Sequence, residues 1–243
     1  MIRGGAVLVT LVACFAGCGR VGFAASGSGA DGGPDGPDEP PADAFVGKWN
    51  LEQSVFNEDD DTISWSQTTR AGSVLIIAFN LQIGVTITGI HDQNDNVFSR
   101  IDAASATNFQ GPLEIWYAVN SGDDSGDMQF DYTAAIPNAQ VAWEVSGLSG
   151  DIDAVDALSD QASSTAPRST AVTTTAPGDF VISILKADVV ETLETPSFTV
   201  DSLIRDDGYA HLTANDAPAG TYQTSWTTLA SMFCTSTVAF FSE

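Results

Sequence analysis

Basic residues are scarce in this sequence: 8 Lys and Arg stand against 32 Asp and Glu, giving a formal net charge of -24. A chain of that sign repels phosphate backbones, so nucleic acid is excluded as a partner class. Histidine is scarcer, with only His91 and His211 far apart in the chain. No H-x-x-x-H or C-x-x-C spacing occurs, which removes the short zinc motifs. No G-x-S-x-G elbow is present either, so the usual nucleophile of an α/β-hydrolase is missing. No apolar run approaches the ~20 residues of a membrane-spanning helix. No helical period extends over ten or more residues, and helix-based folds fall away with it.

What is present begins with an export leader. Arg3 supplies a positive start, Ala6 to Phe15 an apolar stretch, and Ala16-Gly17 the small residues that precede a cleavage site. Residues 24–44 are rich in Gly, Pro, Ser and Asp with almost nothing to bury, the composition of an extended, disordered tether. About 200 residues then remain, enough for a sizeable core, and residues 45–243 are expected to form one folded domain.

The segment Phe15-Ala16-Gly17-Cys18 resembles the bacterial lipobox. That resemblance implies that residues 1–17 are removed, that Cys18 is diacylated, and that residues 18–44 form a lipidated tether. The membrane would then be a partner through the lipid. Gly19, in place of the Asp that retains lipoproteins in the inner membrane, implies the outer membrane or cell surface. Leader and tether together look like those of predicted myxobacterial lipoproteins. Cys14 would be lost with the leader, leaving Cys234 without a disulfide partner. In the apolar segment MFCTSTVAFF, Cys234 reads as a small buried hydrophobe.

Beyond the tether, short alternating segments are separated by turn residues. Val74-Leu75-Ile76-Ile77 is apolar on both faces, as in a central strand, and Leu113 to Val119 and Met128 to Tyr132 follow as further strands. Val141, Trp143 and Val145 alternate with Gln140 and Glu144, the pattern of one buried and one wet face. Ser146 to Pro167, polar and rich in Asp, Ser and Ala, reads as a loop. Pro177-Gly178-Asp179-Phe180 then repeats the Gly-led strand start of Ala71-Gly72-Ser73-Val74, although the echo is too short to divide the domain in two. Alternations at Phe198, Tyr209, Tyr222 and Phe233 to Phe241 bring the total to about ten to thirteen strands, an all-β, jelly-roll-like antiparallel sandwich.

The order of several short motifs is similar to that of uncharacterised β-sandwich modules in secreted bacterial proteins. They are the Gly-led strand starts, the Asp92 to Asn96 turn before Val97-Phe98, Trp116 to Asn120, Glu144 to Gly147, and Gly220 to Trp226. The resemblance implies a sandwich and carries no activity with it.

Candidate chemistry lies in loops and aromatics. Asp92 to Asn96 matches the first half of a calcium loop, but Val97 replaces the required Gly and Ala103 the bidentate Glu, so an EF-hand is excluded. Acidic loops at Asn57 to Asp61, Asp123 to Asp127 and Asp151 to Asp156 leave Ca2+ open, with Asp59, Asp61, Asp123, Asp124 and Asp127 as its candidate ligands. Five Trp residues could stack on sugar rings, but most share the phase of core neighbours. Trp116 and Tyr117 are the candidate ligand-binding pair, since adjacent strand residues face opposite ways. No catalytic residue and no organic cofactor is indicated. The expectation is a surface-anchored, non-enzymatic module with a binding, adhesive or envelope-structural role toward carbohydrate or a surface protein. The alternative is a glycosidase or esterase on a jelly-roll scaffold, marked by carboxylates or a His-Asp pair meeting in a cleft.

Overall fold

Two seven-residue strands with no exposed side chain, Val74–Asn80 and Phe180–Lys186, explain the architecture. A strand buried on both faces needs a layer on each side of its sheet. In the first, Val74, Ile76 and Ala78 join one apolar cluster while Leu75, Ile77 and Phe79 join another. In the second, Phe180, Ile182 and Ile184 enter the cluster that holds Val74, whereas Val181 and Leu185 enter a third. Three apolar layers therefore separate four tiers of β structure.

The computed structural model describes residues 49–58, 60–134, 139–204 and 207–243. Cys18, the leader, the tether and Asp59 lie outside the described residues. The first half holds β1 (Asn50–Glu58), β2 (Thr62–Ser64), β3 (Val74–Asn80), β4 (Ile87–His91), β5 (Ser99–Arg100), β6 (Ala106–Asn108), β7 (Gly111–Val119), β8 (Asp127–Tyr132) and β9 (Ala139–Ser146). The second holds β10 (Leu148–Ser164), β11 (Val172–Thr173), β12 (Phe180–Lys186), β13 (Val190–Leu193), β14 (Phe198–Ile204), β15 (Asp207–Leu212), β16 (Thr221–Tyr222), β17 (Trp226–Thr228) and β18 (Ser231–Ser242). Six of these eighteen strands are only two or three residues long, too short to leave a periodicity in the sequence.

Both halves share one topology. The large sheets run β1-β9-β3-β7-β5, with β6 also on β7, and β10-β18-β12-β15-β14. With β5 and β6 taken as one interrupted strand, and β16 with β17 as another, each half follows the order one-eight-three-six of a jelly roll. The smaller sheet β2-β8-β4 caps the first half, and the pairs β11-β16 and β13-β17 cap the second. All pairings are antiparallel, the two large sheets face each other across the central cluster, and the described residues fall in one compact unit. The fold is thus an all-β sandwich built twice.

Register fixes the correspondence between the halves. Gly72 and Gly178 both adopt left-handed φ, 84° and 81°, at the start of the central strands. Leu75, three residues after Gly72, pairs with Glu144, and Val181, three residues after Gly178, pairs with Ala239. A β-bulge skips Glu52 between Leu51 and Gln53, and another skips Asp153 between Ile152 and Ala154. Ser73 thus corresponds to Asp179, Glu144 to Ala239, and Glu52 to Asp153.

Two expectations are corrected. Ser146 to Pro167 is not a loop: residues 148–164 form the longest strand, an edge strand whose pairing with β18 is shifted at several bulges. Its outer side is wet and its register irregular, which erases the alternation that identifies strands. The β9 strand has no wet face either, because Gln140 and Glu144 are buried beneath the first half's smaller sheet.

Candidate functional site

The calcium candidates Asp123 and Asp124 sit at the end of the first half where the loops after β4 and β7 meet. Asp124 is buried and accepts hydrogen bonds from the backbone N–H groups of Gln93 and Gly126, at 3.2 and 2.6 Å. Asp123 accepts from the Ala71 N–H at 3.0 Å. Alongside them, Asp92 accepts from Asn96 through both oxygens, and Asn96 and Asn94 donate to Asn120. Asp95 takes a left-handed φ of 52°, which short Asx side chains tolerate. These acceptors are engaged by N–H donors, so the network itself fixes the loops. Asp61 and Asp127 are exposed and stand apart from it. Among the described residues no group of three or more His, Cys, Asp or Glu converges as a metal cage.

A second polar centre lies under the β1 bulge. Glu144 is fully buried and accepts from Gln53 Nε2 at 2.7 Å, the Arg70 N–H at 2.6 Å and Ser73 Oγ at 3.0 Å. Glu52, the bulge residue, accepts from Ser146 Oγ at 2.7 Å and pairs with the Arg70 guanidinium at 3.2 Å. Hydrogen bonds from Ser146 and Asn50 hold its carboxyl below the ordinary value. A buried carboxylate is tolerated when its lone pairs meet donors, and here they do.

The corresponding place in the second half is different. Asp153 accepts from the Thr175 N–H and Thr175 Oγ, both at 2.5 Å. Burial opposes its ionisation, but the Thr175 bonds, the Asp179 carboxyl and nearby backbone N–H groups outweigh it and hold its pKa below the ordinary value. Asp179 is 2% exposed, and neither carboxyl oxygen has a partner other than the Asp153 carboxyl within hydrogen-bonding reach and a glancing Ser242 N–H. Burial, and then the neighbouring Asp153, push its pKa to about 7.

Trp116 and Tyr117 do face opposite ways on β7, and both faces are covered. Trp116 packs on the first half's own core and donates to Glu114 at 2.9 Å, while Tyr117 packs edge-on against Phe240 between the large sheets. Each is half-buried, and Trp49, Trp65, Trp143 and Trp226 are buried, so no aromatic row lies open on a sheet face among the described residues.

The remaining reactive groups divide into exposed and buried. His91 meets Asp131 at 3.0 Å in solvent. His211 meets Asp201, a bulge residue of β14, at 2.9 Å and stacks on Phe180 in the central core. Cys234 is buried and its thiol is pushed up to about 12 by burial, as expected of a small hydrophobe. Lys186 is buried with its pKa lowered by burial, and its ammonium donates to the Leu81 carbonyl at 2.6 Å, which joins the two halves.

That join organises a feature the sequence reading missed. Gln110 bonds Asp188 at 2.5 Å, the Asp188 N–H bonds Ser231, and the Leu229 N–H bonds the Val189 carbonyl. Gly111 keeps its turn tight against Leu81 to Ile83, where a Cβ would lie 2.3 Å from the Leu81 oxygen. These braced loops carry Ile83, Phe109 and Leu229 outward, 73%, 49% and 54% exposed, with Met232, three residues after Leu229, also exposed. Single apolar residues in polar loops leave no periodic signal.

Compared with protein-family models, with curated proteins and with solved structures, the chain matches none.

Proposed function

We propose that this chain is a surface-displayed, non-enzymatic binding module, acylated at Cys18, carried on its tether at the outer membrane or cell surface and directed at carbohydrate or a surface protein. The observation that supports this reading is the set of braced loops presenting Ile83, Phe109 and Leu229 to solvent. Exposed apolar side chains held on a rigid frame lose little conformational freedom on contact, and an aromatic ring such as Phe109 stacks on a sugar face. Meanwhile Glu144, Asp124 and Cys234 are buried and the first two are committed to structural hydrogen bonds.

The test is a glycan array on the mature protein, with and without Ca2+, run beside Phe109→Ala. Binding of a glycan class by the wild type, weakened at least about tenfold in the variant, is the expected result. Failure to retain any glycan would sink the carbohydrate version.

A hydrolase is the second reading, favoured by the His211–Asp201 pair and the Asp153–Asp179 carboxyl pair. Turnover of nitrophenyl esters or glycosides that disappears in Asp201→Asn or Asp153→Asn would establish it in place of the first.

A further inference from the structure

We propose that Asp153 and Asp179 bind a hard divalent cation, with Ca2+ as the ion that fits, and that this ion ties the start of the β10 edge strand to the start of β12. The backbone aims both side chains at one place. The bulge between Ile152 and Ala154 turns Asp153 out of the ladder, and the left-handed Gly178 sets Asp179 at the head of the most buried strand of its sheet. Asp179 is 2% exposed, and apart from the glancing Ser242 N–H its two oxygens meet no hydrogen-bond donor. An unpaired acceptor at that depth is costly, and a carboxylate there more so.

The first half shows what the position ordinarily contains. There the buried carboxylate of Glu144 meets Gln53, Ser73 and the Arg70 N–H, with the Arg70 guanidinium close by on Glu52. By register and position, the second half carries Ala154 for Gln53, Asp179 for Ser73, Ala176 for Arg70 and Ala239 for Glu144. Gln53, Arg70 and Glu144 are each replaced by alanine and the Ser73 hydroxyl by a carboxyl, so the cationic side chain is gone and two carboxyl groups, Asp153 and Asp179, remain. Small neighbours leave room, and paired carboxylates demand positive charge.

The donor set selects the ion. Asp153, Asp179 and Thr175 Oγ offer only oxygen, the ligand of Ca2+, and backbone carbonyls and water ordinarily fill the rest of its shell. Two carboxylates balance a double positive charge. Asp153 is partly exposed, which gives an ion a way in. A proton on Asp179 is the competing neutraliser, and with a pKa of about 7 it gives way as the solution becomes alkaline.

The experiment is thermal unfolding of the full mature protein at about pH 8 in chelator, then with Ca2+ added alone. A rise of about 5–10 °C is expected once Ca2+ exceeds its dissociation constant a hundredfold. Asp179→Ser, which installs the first half's residue, and Asp153→Asn should each abolish the rise. Tb3+ supplies a readout independent of folding: Tyr222 lies on the strand paired with Val172–Thr173, and Gly220 bonds Thr174 next to the Thr175 that holds Asp153, so its ring is placed to sensitise lanthanide emission, and Tyr222→Phe should dim that emission while keeping the Ca2+ response. No Ca2+ response in the wild type, or an equal response in Asp179→Ser, would overturn the site and leave a carboxyl pair that holds only a proton.

Discussion

Two corresponding places in one molecule solve the same problem with opposite chemistry. Under the β1 bulge a buried carboxylate is surrounded by side-chain and backbone donors, and the site is complete as it stands. Under the β10 bulge two carboxyl groups confront each other among alanines, and the site depends on what the solution supplies. The central strands agree in length, and the glycine turn and the bulge recur at corresponding places. A repeated framework therefore fixes where a polar side chain goes, and the side chains alone decide whether the position is a structural bond or a receptor.

The comparison breaks most sharply at Glu144. Glu144→Ala removes the acceptor shared by Gln53, Ser73 and the Arg70 N–H and leaves a cavity in place of the side chain. Stranded buried donors should lower stability by about 3–5 kcal/mol, measured by urea unfolding. A loss below about 1 kcal/mol would mean that the network is not what holds the first half's strands together.

Another contrast sits on the sixth strands, where Glu114 of β7 corresponds to Gly208 of β15. Glu114 receives Trp116 and Arg100, whereas the Trp226 ring lies directly on Gly208. A Cβ at Gly208 would come 2.6 Å from the Trp226 ring. Gly208→Ala should therefore lower stability by about 1–3 kcal/mol and shift Trp226 fluorescence, because Trp226 is fully buried and hydrogen-bonded to Thr224.

Much of this framework was legible in the residues. The runs at Val74 and Phe180 read as central strands because burial on both faces leaves no polar alternation, and the paired Gly-led starts proved to be equivalent turns. The β10 strand was hidden because its Asp and Ser side chains face water at a bulged edge. Adjacency on β7 correctly set Trp116 and Tyr117 on opposite faces, yet nothing in one strand tells that a sheet covers each. The Asp153–Asp179 pair was invisible for a different reason: β18 lies between their strands, so the contact depends on sheet order and a bulge rather than on spacing.

The pair also makes the two sites differ in their response to pH. In the native state the Asp179 pKa is raised to about 7 from an ordinary 3.8, so the folded protein holds a proton there that the unfolded chain has released. The stabilisation is complete below the ordinary value and is lost as pH rises through about 7. In chelator the wild type should lose about 2 kcal/mol between about pH 4 and pH 8, a figure reduced for the solvent that reaches Asp153. Asp179→Asn should flatten that part of the profile, as followed by urea midpoints across the range. An unchanged slope in the variant would assign the pH dependence elsewhere.

The smallest effect sharpens the contrast most finely. Arg70 supplies the first half with a positive side chain where the second half has Ala176, but its side chain is 68% exposed and its bond to Glu52 is a surface one at 3.2 Å. Arg70→Ala keeps the backbone N–H that Glu144 uses, so the buried network stays intact. The expected loss is under about 0.5 kcal/mol and shrinks further in salt. Were the loss instead to match that of Glu144→Ala, the guanidinium would be the true counter-ion of the first site. The two halves would then differ only in whether the cation is built in or borrowed from solution.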